Sequence, residues 1–270
     1  MTRSFALFAV EGPSDQVIVR NVLRRILGFN LWDGKIDELH DLWPRTDDIV
    51  PDFSSKAGNI YKRVLSPSIL YSESMSIAIF EGEGSSLVGR VKALFENHDL
   101  HKKLSAFGVF ADSDNFLPVD VAARYQREFG HYFSHFPTQP GVVVNGPPQL
   151  GVYVFPDNTN KGVVEHLVLE CGETVYSELL RRATEYVDQF DVDDRKRQRW
   201  APFDEQKAVI ASVASLLKPG KTNTATLADN DWISQSTQNV EALRVLVEFC
   251  RGLIGPIICD SPDPLSLETC

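Results

Sequence analysis

Glu11, Asp112 and Asp114 are the residues of this chain best suited to chemistry. Glu11 closes the apolar run Ala6-Leu-Phe-Ala-Val and is followed by Gly-Pro-Ser-Asp15. Asp112 and Asp114 close the run Leu104-Ser-Ala-Phe-Gly-Val-Phe-Ala. In an α/β protein such runs are buried strands, and their carboxyl ends form the edge where open sheets bind ligands. Two acids two residues apart share one face of a strand. Three carboxylates at that edge repel one another unless a cation lies between them, which points to Mg²⁺ or Mn²⁺.

The surrounding pattern supplies elements to position these acids. Residues 4–11, 75–80 and 104–111 read as buried strands, and 141–145 and 150–155 as shorter β-rich runs. Residues 13–27 read as a helix, with Pro13 at an early position and Gly28 as its stop. Helices are expected over 86–97 and over 118–130, the latter opened by Pro118. Further helices are expected over 162–170, 173–188, 203–217 and 238–251. Residues 30–74 show no clear period and read as loops and short pieces. Strands alternate with helices up to about residue 155, and helices dominate afterwards. That order predicts a mostly parallel α/β sheet flanked by helices in residues 1–170, with a helical extension, 171–270, packed on it.

Composition narrows the function. The chain has 270 residues, 43% of them hydrophobic and 24% charged, as in ordinary globular proteins. No apolar run reaches the roughly 18 residues of a membrane span, and the short apolar start runs straight into Glu11, unlike a signal peptide. A cytoplasmic protein without membrane contact is expected. Cys171, Cys250, Cys259 and Cys270 lie far apart with no CxxC spacing, so they read as free thiols rather than zinc ligands. His131, His135 and His166 show no metal spacing. The net charge of −10 excludes nucleic-acid binding through bulk charge and demands a local basic patch for any such contact.

The sequence Val10-Glu11-Gly12-Pro13-Ser14-Asp15, then strand, glycine-rich turn and helix, then Phe110-Ala111-Asp112-Ser113-Asp114, resembles the TOPRIM domain. That domain is shared by topoisomerases, bacterial primases, recombination-repair proteins and nucleases of the overcoming-lysogenization-defect type. The resemblance implies a Rossmann-like fold over roughly residues 4–170. It implies that Glu11 is a general acid or base at a phosphodiester and that Asp112 and Asp114 hold Mg²⁺. Asp15 matches the second acid of the glutamate motif in the nuclease branch, where it can serve a second metal. The stretch Pro156-Asp157-Asn158, with Gly162 and Glu165 after it, looks like that of a TOPRIM-like family of stand-alone prokaryotic proteins, and adds Asp157 and Glu165 as metal ligands. With Asp15 or Glu165 present, two metals about 4 Å apart become possible. The chain lacks a G-x-x-x-x-G-K-[ST] segment and the extra domains of topoisomerases and primases, which favours hydrolysis over strand passage or priming. The resemblance therefore implies a metal-dependent nuclease acting on DNA or RNA, in phage defence or nucleic-acid processing. The alternatives are a non-catalytic TOPRIM module, working with a partner ATPase or as a homo-oligomer, and a haloacid-dehalogenase-like phosphatase. The latter is disfavoured because Asn115-Phe116 follows Asp114.

Phosphate contacts have their own candidates. Lys161, Lys218 and Lys221 sit in loop sequence, and Lys221 is the cation assigned to catalysis. Arg195, Lys196, Arg197 and Arg199 form the dense basic run, with Trp200 available to stack on a base. Glu81-Gly-Glu-Gly-Ser-Ser reads as a tight turn in preference to a phosphate cradle. Each acidic motif also has a plain reading, as a helix cap for Ser14 or Asp15 and as an Asx turn for Asp112-Ser-Asp-Asn.

Overall fold

Ala6, Phe8 and Val10 pack into one core, Leu7 and Ala9 into another, and all five are buried. A strand covered on both faces belongs in the middle of a parallel sheet. The computed structural model, which describes residues 3–32, 42–43 and 68–255, has that arrangement. Its strands are β1 (Ser4–Val10), β2 (Asn30–Leu31), β3 (Ser68–Tyr71), β4 (Met75–Glu81), β5 (Ala106–Asp112), β6 (Val143–Val144) and β7 (Gln149–Phe155). They form a seven-stranded sheet in the order β2-β3-β4-β1-β5-β7-β6. The central four are parallel, and β2, β3 and β6 add antiparallel edges.

Helices cover both faces. Helix α1 (Pro13–Asn21) runs on through a π turn, Val22–Ile26, and packs on the Phe8 side. Helices α2 (Leu87–His98) and α3 (Pro118–Phe129) pack on the Leu7 side, around Phe95, Phe107 and Phe129. The remaining helices return to the Phe8 side. They are α4 (Val164–Val175), α5 (Ser177–Val187), α6 (Val192–Arg197), α7 (Asp204–Leu217), α8 (Asn223–Asp229) and α9 (Glu241–Ile254). Buried residues of α4, α5, α7, α8 and α9 share one cluster with the sheet. The helices after residue 170 therefore complete one side of the same α/β core.

The expected strands and long helices are present, with one helix boundary shifted and the short elements β2, β3, α6 and α8 added. The helix break falls at Tyr176 instead of near Cys171, because Gly172 and Cys171 are packed inside α4, Gly172 against Trp232. Strand β3 was not legible: Ser68–Tyr71 is only four residues and pairs antiparallel with β4. Most of the segment read as loops, residues 33–41 and 44–67, lies outside the described residues, as do Cys259 and Cys270. Cys171 and Cys250 are free and buried, and burial pushes both thiols up. Among the described residues no helix is long and apolar enough to cross a membrane.

Helix α9 reaches the sheet through two glycines paired across β5 and β7, Gly108 and Gly151. A Cβ on Gly151 would lie 2.6 Å from the Phe249 ring, which is itself wedged edge-on against Phe110. Gly151→Ala is expected to cost about 1–3 kcal/mol through overpacking. A thermal melt checks it; an unchanged midpoint would show that α9 can retreat freely.

Candidate active site

The path of the chain creates a crevice beside β1. From β1 the chain crosses to β4 by α1 on one face, whereas β5 crosses to β7 by α3 on the other. The sheet order thus reverses between β1 and β5, and open α/β sheets bind ligands at such a point. Glu11 follows the last residue of β1, and Asp112 ends β5. A cleft of about 460 Å³ opens there, lined by Glu11, Asp112 and Asp114, by Gly84 and Ser85 of the β4–α2 turn, and by Arg124 and Tyr125 of α3, among others.

Each acid is held by a defined donor. The Tyr125 hydroxyl donates to Glu11 Oε1 at 2.6 Å, and Arg124 Nη2 donates to the same oxygen at 3.3 Å. Glu11 Oε2 accepts only a long bond, 3.4 Å, from the Asp112 amide. Asp112 Oδ1 accepts from the amide of Val164, the first residue of α4, at 2.8 Å. That places a carboxylate at a helix N-terminus, where the dipole favours it. Asp15 Oδ2 accepts from the Gly12 amide at 2.9 Å, so the residue also caps α1. Asp114 has a left-handed φ of 49°, and its amide bonds to the Gly162 carbonyl. Buried Ser113 ties the same two loops together, through bonds with Gly162 N and O.

The electrostatics join five acids from three segments. Burial pushes Asp112 up to about 8, and the charges of Glu11, Glu165 and Asp114 push the same way. Asp15 is raised well above the usual carboxylate range, by burial first and then by Asp112, Glu11 and Glu165. Burial also raises Glu11, against the pull of Tyr125, the Asp112 amide and Arg124. Glu165 is raised by burial, with Lys207 and His166 opposing. Glu11, Asp112 and Asp114 therefore line the cleft together, while Asp15 and Glu165 do not line it and are linked to them only through their charges.

The donor set fits a hard divalent cation, being oxygen throughout and short of positive charge. Among the described residues no three of His, Cys, Asp and Glu could hold a metal ion as their side chains lie. Mg²⁺ is commonly held by one or two carboxylates with waters and substrate phosphate. Glu11 and Asp112, adjacent across the β1–β5 crevice, are enough for that.

The other candidates are not brought to this cluster. Asp157 is held in its own loop. Its Oδ1 accepts from Thr159 and Asn160, and its Oδ2 from Asn160 Nδ2. Burial pushes it up, but these bonds outweigh that and leave it below the usual range. Lys221 is exposed in the α7–α8 turn and does not line the cleft. Lys161 is exposed beside Gly162, which pairs with Asp114, yet does not line the cleft either. The basic run is largely neutralised. Arg195 pairs with Glu205 at 2.7 Å, Lys196 with Asp193, and Arg197 with Asp194. Trp200 packs against the core beneath Arg195 and is not free to stack on a base; Arg199 stays exposed. In the β4–α2 turn the amides of Gly82 and Gly84 bond to the carbonyls of Val10 and Glu11. The turn is thus structural and offers neither amide to a phosphate.

A family model described as "Protein of unknown function (DUF3226)" matches residues 6–251. The chain belongs to that family. The DUF3226 match includes the acids of the cleft and the helices through most of α9, so sheet and later helices form one family unit. A crystal structure of a hypothetical protein from Pyrococcus horikoshii OT3 is 16% identical, with 93% of this chain and 96% of that one covered at a TM-score of 0.50. That likeness shows a shared fold. No curated protein matches the chain.

Arg124 and Tyr125 are the site residues of this DUF3226 member that sequence reasoning missed. Tyr125 falls on the apolar stripe of α3 with Val121 and Phe129 and reads as core. Its hydroxyl partner comes from a residue 114 positions away.

Proposed function

We propose that this protein is a metal-dependent phosphodiesterase of TOPRIM type that hydrolyses DNA or RNA. The observation that carries the reading is the placing of Glu11, Asp112 and Asp114 around one cleft at the β1–β5 crevice. These acids stand at the ends of β1 and β5, the two segments on which the TOPRIM resemblance rests. Asp112 with Glu11 or Asp114 would hold Mg²⁺ or Mn²⁺, which would supply positive charge to the phosphoryl oxygens. Glu11 is anchored at Oε1 by Tyr125, which leaves Oε2 to exchange a proton with water or with the departing oxygen. Burial raises its proton affinity towards the range where such exchange works at neutral pH. Asp112 is oriented by the Val164 amide at Oδ1, which leaves Oδ2 for a cation.

The test is incubation of the purified protein with supercoiled plasmid and with structured RNA, in Mg²⁺, in Mn²⁺ and in EDTA. Cleavage that requires a divalent ion supports the reading; no cleavage of either substrate in any ion overturns it. A second reading, a non-catalytic module working with a partner ATPase, draws on the engagement of Asp112 and Glu11 by Val164 and Tyr125. It expects binding without turnover.

A further inference from the structure

We infer that Arg124 is the phosphate-binding residue of the cleft, held in reserve against Glu11 until substrate enters; this rests on the proposed nuclease function. Among the described residues Arg124 is the sole cation lining the cleft. Its side chain is 49% exposed. It uses one nitrogen, Nη2, to reach Glu11 and the Tyr125 hydroxyl, while Nη1 and Nε find no protein acceptor among the described residues. The guanidinium also lies 4.8 Å from the centre of the Tyr125 ring, which restrains its plane. A structural arginine pair normally presents two parallel bonds. This one is single, long and half exposed, and such pairs contribute little to stability. Neighbouring cations are differently employed: Lys92 is bonded to Glu128 at 2.6 Å and Arg90 to Glu83 at 3.0 Å. A phosphodiester entering a cleft walled by acids needs one guanidinium fork, and both forks of Arg124 include Nη2, so substrate would take that nitrogen from Glu11 and add Nε or Nη1 beside it. Moving Nη2 from Glu11 to a phosphoryl oxygen would also remove a positive charge from Glu11 and so favour its taking up a proton at Oε2. Arg124 thus takes the role that the sequence had assigned to Lys221.

The experiment measures binding of a fluorescein-labelled 12-nucleotide dT strand by anisotropy in Ca²⁺, and cleavage of the same strand in Mn²⁺. Wild type, Arg124→Ala, Arg124→Lys and Tyr125→Phe are compared, with thermal melts to confirm folding. Arg124→Ala is expected to raise both Kd and KM at least tenfold, and Arg124→Lys to restore part of the loss. Tyr125→Phe keeps the ring beneath the guanidinium and removes the hydroxyl that positions Glu11, so kcat should fall with KM little changed. A wild type that cuts the strand, beside a folded Arg124→Ala that cuts it with unchanged KM, overturns the role of Arg124 alone. A wild type that neither binds nor cuts this strand, while cutting plasmid or RNA, also overturns it. A wild type inert on every substrate overturns the nuclease reading and this inference together.

Discussion

Replacing Glu11 by Gln is expected to lower cleavage at least about 10²-fold, with the fold intact. The change keeps the size of the side chain and its bond to Tyr125 but removes the proton that can be exchanged at Oε2. General acid or base groups contribute roughly 10²–10⁴-fold, which sets the scale. Asp112→Asn is expected to match that loss and also to shift the Mn²⁺ dependence to higher concentration, since a hard cation loses a charged oxygen. Tyr125→Phe, by contrast, should cost less than either. The measurement is the initial rate of plasmid or RNA cleavage over a Mn²⁺ titration for each variant. Equal rates for wild type and Glu11→Gln would remove Glu11 from the mechanism.

The second large effect concerns stability against pH without metal. Burial and the neighbouring charges of Glu11, Glu165 and Asp114 raise Asp112 to about 8 in the folded protein, against roughly 4 in an unfolded chain. The folded state then binds more protons than the unfolded state between those values, so metal-free stability falls as pH rises through that window. Asp15, Glu11 and Glu165 are displaced in the same direction. Each tenfold difference in proton affinity is worth about 1.4 kcal/mol, so Asp112 by itself sets an effect on the order of several kcal/mol. For a chain of this size that corresponds to a fall in Tm of roughly 5–10 °C from pH 5 to pH 8 in EDTA. Millimolar Mg²⁺ should reverse most of the fall at pH 8, because an ion bound to the folded state stabilises it by mass action. Asp112→Asn should flatten the pH dependence and blunt the response to Mg²⁺. Melts by circular dichroism at the two pH values, with and without Mg²⁺, decide it. A metal-free Tm that rises from pH 5 to pH 8 would mean that the acids are not repelling one another.

Much of this architecture is written in local pattern. A buried parallel strand is an apolar run, and an acid at its end stands out against it; Glu11 and Asp112 were legible for that reason. Pro13 and Pro118 marked the starts of α1 and α3 because a proline suits the first turn of a helix and little else nearby. Asp15 was legible as a cap, and the charge of Asp112 helps raise the same carboxylate. What local pattern lacks is the identity of each neighbour. Strands β1 and β5 lie about a hundred residues apart in sequence, and only the sheet order makes them adjacent. Glu165 joins the acids because Asp112 seats the first amide of α4, whereas Asp157, equally acidic in sequence, is satisfied by Thr159 and Asn160. The basic run resembles a nucleic-acid patch until Glu205 and the run's own aspartates neutralise its side chains. Arg124 looks like any solvated helix residue until folding sets it beside Glu11. The sequence by itself determined where strands end and which acids stand there, since both follow from periodicity and burial over a few residues. Only the tertiary structure decided which charges meet, because that depends on strand order and on the packing of α3 and α4 across the sheet edge.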